Sequence, residues 1–182
     1  FKRLSSADQE FVRSVADGSV SVSANTTTRD KLTGKPTELK NDDGSPAGKK
    51  SFPRGIASAF EVPDDGNYIT SIRIHGARYG LPRPPKEDFI IALCDTDFNP
   101  IAEFDYPYSK FRRGEPEWVM LNVKPTEVPK EFVICLNFNA QQTKGVFVSH
   151  DAEGSSLVGL PGRHAGSVTG GDWMIRVKVD RL

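Results

Sequence analysis

Apolar and polar residues alternate most clearly between Phe60 and Phe104, where four apolar runs are separated by three turn signals. Ala57, Ala59 and Val62 lead into Pro63-Asp64-Asp65-Gly66. Proline fixes φ and lacks a donor, and Asp-Gly tolerates positive φ, so a turn is predicted there. Tyr68, Ile69, Ile72 and Ile74 follow, and Ile72 and Ile74 alternate with Arg73 and His75, the period of a half-buried strand. The stretch from Gly76 to Lys86 contains Gly80, Pro82, Pro84 and Pro85 and reads as a loop, because a central strand cannot hold that many prolines. Phe89 to Cys94 is an unbroken apolar run suited to a strand covered on both faces. Asp95 to Pro100 is a turn and Ile101 to Phe104 a returning strand, so the stretch reads as a β-meander.

The same period continues downstream. Trp118 to Val123 predicts a strand closed by Pro125; Phe132, Ile134, Leu136 and Phe138 alternate, and Gly145 to Val148 is the next strand. Ser156 to Leu160 reads as a short strand, and after Gly170-Gly171 the residues Trp173, Ile175, Val177 and Val179 alternate cleanly. About nine strands between residues 55 and 180 predict an all-β, antiparallel, jelly-roll-like sandwich over residues 51–182. In this register Ile72, Ile74, Phe89, Ile91, Leu93, Trp118, Leu136, Trp173, Ile175 and Val177 are core, and Arg73 and Arg176 reach solvent or a partner.

The start of the chain has a different pattern. Ser6 with Gln9 fits a capping box, and Ala7 to Ala16 reads as a short helix ending at Asp17-Gly18, so residues 1–18 form a helical segment. Residues 19–50 are rich in Ser, Thr, Lys, Asp, Gly and Pro and read as a linker or poorly ordered arm, with one short strand at Ser19 to Ser23. On this reading residues 1–44 contribute little to the fold.

Composition narrows the function classes. The 182 residues carry 24 basic and 24 acidic side chains, which argues against a dedicated nucleic-acid binder. Lys110, Arg112 and Arg113 are balanced by Glu115 and Glu117 and read as a solvated face. Apolar runs are far shorter than the roughly 20 residues a spanning helix needs, so no membrane insertion is expected. The sequence starts at Phe1, with no methionine and no signal peptide within it, which reads as a fragment or a mature product whose targeting signal lies outside these residues. Cys94 and Cys135 lie in apolar strand-like runs; a disulfide would require facing strands, and the apolar setting favours two buried thiols.

Catalytic motifs are sparse, and none calls for a cofactor. No G-x-S-x-G occurs, and Gly44 to Ser51 resembles a P-loop only superficially, one residue short and followed by a strand. Asn25-Thr26-Thr27 matches a glycosylation sequon, a pattern too short to carry weight. His75, His150 and His164 lack metal-site spacing; His150 with Asp151 and Glu153 would be the centre of a metal-assisted hydrolase, and otherwise forms a solvated loop. Asp95, Asp97 and Asn99 have the one-three-five spacing of calcium ligands but lack the glycine and distal glutamate of an EF-hand, so turn formation is the expected role.

Several stretches taken together, YITSIRIHGARYG, FIIALCDTDFNPIAEFDYPYSKFRRGEPEWV, VPKEFVICLNFNAQQTKGVFV and GDWMIRV, resemble a β-sandwich module found at the C-terminal ends of large bacterial proteins. These include peptidase-like proteins, sigma-factor-like proteins and exported proteins of unknown role. The likeness covers roughly residues 45 to 180, carries no activity, and tilts the expected setting toward the periplasm or cell surface. RLSSADQEFV resembles the closing segment of the Sla-type homology module, a small SH3-like domain, of which only the end is present.

What remains is a set of aromatics with basic neighbours: Tyr79, Tyr106, Tyr108 and Phe111 beside Arg78, Arg83, Lys110 and Arg112. Aromatic rings stack on the apolar faces of sugars, and adjacent Arg side chains hydrogen-bond hydroxyls. Arg78, Tyr79, Tyr106, Tyr108, Lys110 and Arg112 are therefore the expected ligand-binding residues, unless these rings simply close the ends of the sandwich. The expected function is a non-catalytic accessory module with a glycan or protein partner. A structural subunit of an assembly and a hydrolase domain are the alternatives.

Overall fold

The computed structural model describes residues 28–163 and 166–182. The helix expected at Ala7 to Ala16, the strand at Ser19 to Ser23 and His164 lie outside the described residues. The chain divides after Lys31. The last residues before that boundary form a four-residue helix, α1 (Thr28–Lys31). No helix among the described residues is long and apolar enough to cross a membrane.

The unit from Leu32 to Leu182 is a β-sandwich of two antiparallel sheets, as the alternation predicts. Its strands are β1 (Thr37–Lys40), β2 (Gly48–Lys50), β3 (Ile56–Glu61), β4 (Asn67–Gly80), β5 (Asp88–Cys94), β6 (Pro100–Pro107), β7 (Glu117–Val128), β8 (Glu131–Asn137), β9 (Lys144–His150), β10 (Ser155–Leu157), β11 (Ser167–Thr169) and β12 (Ile175–Arg181). The first sheet runs β1-β12-β4-β9-β2, with β7 on the other side of β4; the second runs β11-β10-β3-β8-β5-β6.

Consecutive strands mostly change sheets, so the meander expected over Phe60 to Phe104 is corrected. Within it only β5 and β6 form a hairpin; β3 pairs β8, whereas β4 pairs β7, β9 and β12. The turn at Pro63 to Gly66 carries the chain across the core instead of folding it back, because β3 and β4 each bury an apolar face that must meet the other. Ile56 and Phe60 from one side, and Ile69, Ile72 and Ile74 from the other, belong to the same core cluster. The core residues predicted from alternation are buried, with Trp118 the exception.

Two strands run further than expected. β4 continues to Gly80, so Arg78 and Tyr79 stand on a strand; the proline loop begins only at Leu81. Gly80 has φ 89°, and a Cβ there would meet the backbone of Thr143, so glycine permits the close approach. β7 continues through Pro125 because its register against β4 shifts at Ile69/Ser71 and it pairs with no second strand among the described residues. A proline's missing donor costs little at such a place.

The arm is the larger correction. β1 pairs β12 from Thr37↔Val179 to Lys40↔Arg176, and β2 pairs β9 from Gly48↔His150 to Lys50↔Val148. The Thr33 hydroxyl donates to Asp180, and the Gly34 amide donates to the same carboxylate at 2.9 Å. Strand propensity is weak in TELK and GKK, and these segments are strands because the sheet edges supply their partners.

At its centre the second sheet buries both faces, as the run Phe89 to Cys94 predicts, while alternate residues of the edge strand β6 stay exposed. Its outer face carries a separate cluster of Ala57, Ala92, Cys94, Val133 and Cys135, packed by Phe98 and Leu157. Asp95 builds the turn that aims Phe98. Its carboxylate accepts from the Asp97 amide, the Asn99 amide and Asn99 Nδ2, each at 2.9 Å, and Phe98 takes φ 63°. The two cysteines are free thiols, both buried, and burial pushes both above the usual thiol range.

Candidate functional site on the outer face of the first sheet

Because β4 alternates, Ile72 and Ile74 point into the core and Arg73 and His75 stand on the outer face of the first sheet. Register places Trp118 of β7 opposite His75, and Arg176 of β12 opposite Arg73. The three strands thus bring a tryptophan, two arginines and a histidine to one patch.

The patch is tightly built. The Trp118 ring has the Arg176 guanidinium 4.5 Å and the Arg73 guanidinium 5.0 Å from its centroid, and the His75 ring packs against it at 5.2 Å and 64°. Both arginines are held by carboxylates. Arg176 Nη2 donates to Asp42 Oδ1 at 2.6 Å and its Nε to Asp42 Oδ2 at 3.1 Å; Arg73 Nη1 donates to Glu38 Oε2 at 2.9 Å. Glu38 also pairs with Arg176 at 3.5 Å. The Asp42 side chain is fully buried. Its hydrogen bond is the main reason the Arg176 guanidinium is pushed to a still higher pKa. Burial lowers the His75 pKa; the Asp42 carboxylate pulls it back up and the Arg176 guanidinium pushes it down. His75 Nδ1 and Ser149 Oγ share a hydrogen bond of 2.8 Å.

Four residues along β4 a second aromatic pair stands on the same face. Tyr79 and Phe147 have ring centroids 4.4 Å apart. Tyr79 is opposite Gly145, where a Cβ would lie 2.7 Å from ring atom Cε1, so the tyrosine can lie across bare backbone only because residue 145 is glycine. Lys49 Nζ sits 5.8 Å from the Phe147 ring centre, and Tyr79 and Ser51 share a hydroxyl contact of 3.3 Å. A cleft of about 450 Å³, lined by Gly48, Lys49, His75, Glu115, Pro116 and Ser149, adjoins both groups.

The six residues expected to bind ligand do not converge. Tyr108 is wholly buried and donates to the Phe138 carbonyl, so it is core and not an exposed ring. Phe111 is likewise buried against Phe89 and Phe138. Tyr106 lies on β6 and reaches across to the Asn122 carbonyl at 2.7 Å. Arg78 is buried and ties down the proline loop through Leu81 and Pro82 carbonyls at 2.7 and 3.0 Å. Lys110 and Arg112 are exposed beside Arg113. Only Tyr79 lies on the outer patch.

The other sequence candidates are consumed by structure. Asp95, Asp97 and Asn99 form the hydrogen-bonded turn described above. His150 Nδ1 contacts the Asp151 carbonyl at 2.8 Å, and the Asp151 carboxylate caps the Asp43 and Asp172 amides at 2.9 and 2.7 Å. Among the described residues no group of three or more His, Cys, Asp or Glu is placed to hold a metal ion.

Trp118 is missed by sequence reasoning because WVMLNV looks uniformly apolar. Val119, Leu121 and Val123 occupy the inner phase, and Trp118, Met120 and Asn122 the outer. Asn122 is the one signal of that phase. Glu38 and Asp42 carry no signal, since they sit in the segment that reads as linker. The chain matches no family model, no curated protein and no solved structure.

Proposed function

We propose that this chain is a non-catalytic interaction module, carried by a larger bacterial protein, whose binding surface is the outer face of the first sheet. The observation that carries this reading is the mounting of Trp118. A half-buried indole, fixed by two arginines that are themselves fixed by carboxylates, is a recognition platform prepared before any ligand arrives. Preorganisation of this kind reduces the ordering cost of binding, and large aromatic groups dominate recognition surfaces. The titratable groups nearby favour binding over catalysis: Glu38 and Asp42 are engaged by arginines, and His75 is engaged by Ser149.

The test compares wild-type chain with Trp118→Ala in co-sedimentation with the cell-envelope fraction of a source bacterium. Wild type is expected in the pellet and Trp118→Ala in the supernatant, with both chains folded by circular dichroism. Equal sedimentation of the two chains would place the binding surface elsewhere.

A further inference from the structure

One side of β7 is unused. The His75 amide donates to the Met174 carbonyl at 3.0 Å and the Arg78 amide to the Arg112 carbonyl at 2.8 Å. Between Ser71 and His75, odd-numbered residues of β4 therefore turn their backbone groups toward β12 and even-numbered ones toward β7. Ile72 and Ile74 thus bond Leu121 and Val119, which lie opposite them. The backbone groups of Trp118, Met120 and Asn122 then point away from the sheet. The Asn122 carbonyl agrees, since it accepts from Tyr106 of the other sheet. Among the described residues nothing takes up the N–H and C=O groups of Trp118 and Met120.

The other edges are guarded. β1, β2 and β11 are four, three and three residues long, and β6 begins and ends on proline and carries Glu103 and Asp105. Short strands, prolines and charges all discourage edge-to-edge pairing. From Trp118 to Val123 β7 has neither proline nor charge, and Lys124 and Pro125 come only afterwards. Met120, in the middle of the open stretch, is 56% exposed.

We infer that this edge pairs with β7 of a second copy of the chain, antiparallel about a two-fold axis at Val119. The inference does not depend on what Trp118 binds. With the axis there, Trp118 stands opposite Met120 of the copy, and Met120 opposite Trp118 of the copy. The two pairs make four N–H···O=C bonds and use every free group just named. The next pair outward is Pro116 with Asn122 of the copy. Proline has no N–H to give, and the Asn122 carbonyl that would have accepted it already holds Tyr106. The bond left over, from the Asn122 amide to the Pro116 carbonyl, is the one this pair can make. The pattern of donors and acceptors is thus self-complementary, as a two-fold interface requires. An axis at Met120 would instead set Trp118 against the engaged carbonyl of Asn122. The side chains agree as well, because the exposed Met120 thioether comes to lie beside the Trp118 ring of the copy, a favourable sulfur–aromatic contact.

Sedimentation equilibrium of the full chain, from low micromolar to submillimolar concentration, tests this. Wild type is expected to pass from monomer to dimer and stop there, since a two-fold contact closes. Met120→Pro removes a donor that bonds nothing inside the chain. It should melt near wild type and weaken the dimer by about tenfold or more, because two hydrogen bonds are lost per dimer. Ile101→Lys, at an exposed apolar residue of β6, should leave the dimer unchanged. Hydrogen exchange on wild type needs no substitution: the Trp118 and Met120 amides should exchange quickly when dilute and be protected when concentrated. A chain monomeric throughout, a mass that grows past the dimer, a dimer insensitive to Met120→Pro or broken by Ile101→Lys, or exchange at these amides that ignores concentration would each overturn the inference. A monomer whose Trp118 and Met120 amides become protected only on adding the envelope fraction would assign the edge to a foreign strand instead.

Discussion

Arg176 stacks on Trp118 with its guanidinium 4.5 Å from the ring centre while gripping the buried carboxylate of Asp42 through two nitrogens. One side chain therefore links the arm, the last strand and the indole of β7. Asp42 comes from the segment between β1 and β2, so the platform depends on a residue 134 positions away in the chain from its arginine.

That linkage predicts a large cost for breaking it. Arg176→Met should lose about 3–5 kcal/mol, because a buried carboxylate is left unpaired. For a domain of this size the loss corresponds to roughly 10 °C in melting temperature. Asp42→Asn added to Arg176→Met should restore part of it, since the stranded charge is gone. Thermal melts of the three chains check this; no recovery in the double variant would mean that Arg176 acts by packing alone.

The arm should prove integral. A chain starting at Gly44 lacks β1, the Thr33 and Gly34 contacts to Asp180, and Asp42 itself. Its melting temperature is expected to fall by many degrees or the product to be insoluble. An unchanged melt would show that the sandwich closes without β1.

Tyr108→Phe separates packing from binding. The buried hydroxyl donates to the Phe138 carbonyl, and removing it leaves that acceptor unsatisfied at a cost of about 1–2 kcal/mol. Denaturant melts should show the loss, while envelope binding stays at the wild-type level. A binding defect in a stably folded Tyr108→Phe chain would return this residue to the site.

Asp172 supplies a pH-dependent case. Burial raises its pKa, and the neighbouring Asp151 and Asp42 carboxylates raise it further, against a hydrogen bond from the Ser155 amide. A raised carboxyl binds its proton more tightly folded than unfolded. Its favourable contribution is present at acid pH and lost as pH rises through the folded pKa, leaving a charged, crowded group at neutrality. Asp172→Asn should accordingly be more stable than wild type at neutral pH, with the gain shrinking as the pH is lowered. Melts at both ends of that range test it, and a loss at neutral pH would show that the carboxylate's hydrogen bond dominates.

Cys94 and Cys135 should be inert in the folded protein and reactive only when it unfolds. Both are buried and both thiols are held protonated by desolvation. Maleimide labelling is expected to modify neither in the native state and both in denaturant without reductant. Labelling of neither in denaturant would indicate a disulfide.

Alternation alone determined that this chain is a β-sandwich, which residues form most of its core, and that Arg73 and Arg176 leave the core. Side-chain period is a local property, and a strand with one buried face must show it. Sheet membership was not local. β3 and β4 look like a hairpin in sequence, and only packing of their apolar faces across the core assigns them to opposite sheets. The arm's strands were illegible for a related reason: Thr37 to Lys40 and Gly48 to Lys50 bury little themselves and take their conformation from β12 and β9. The patch around Trp118 needed tertiary structure most of all. Its residues come from β1, β4, β7, β12 and the turn after β1, and register rather than sequence proximity places them together. Tyr108 shows the converse, since an aromatic flanked by polar and charged residues reads as exposed until the fold reveals the carbonyl of Phe138 waiting for its hydroxyl.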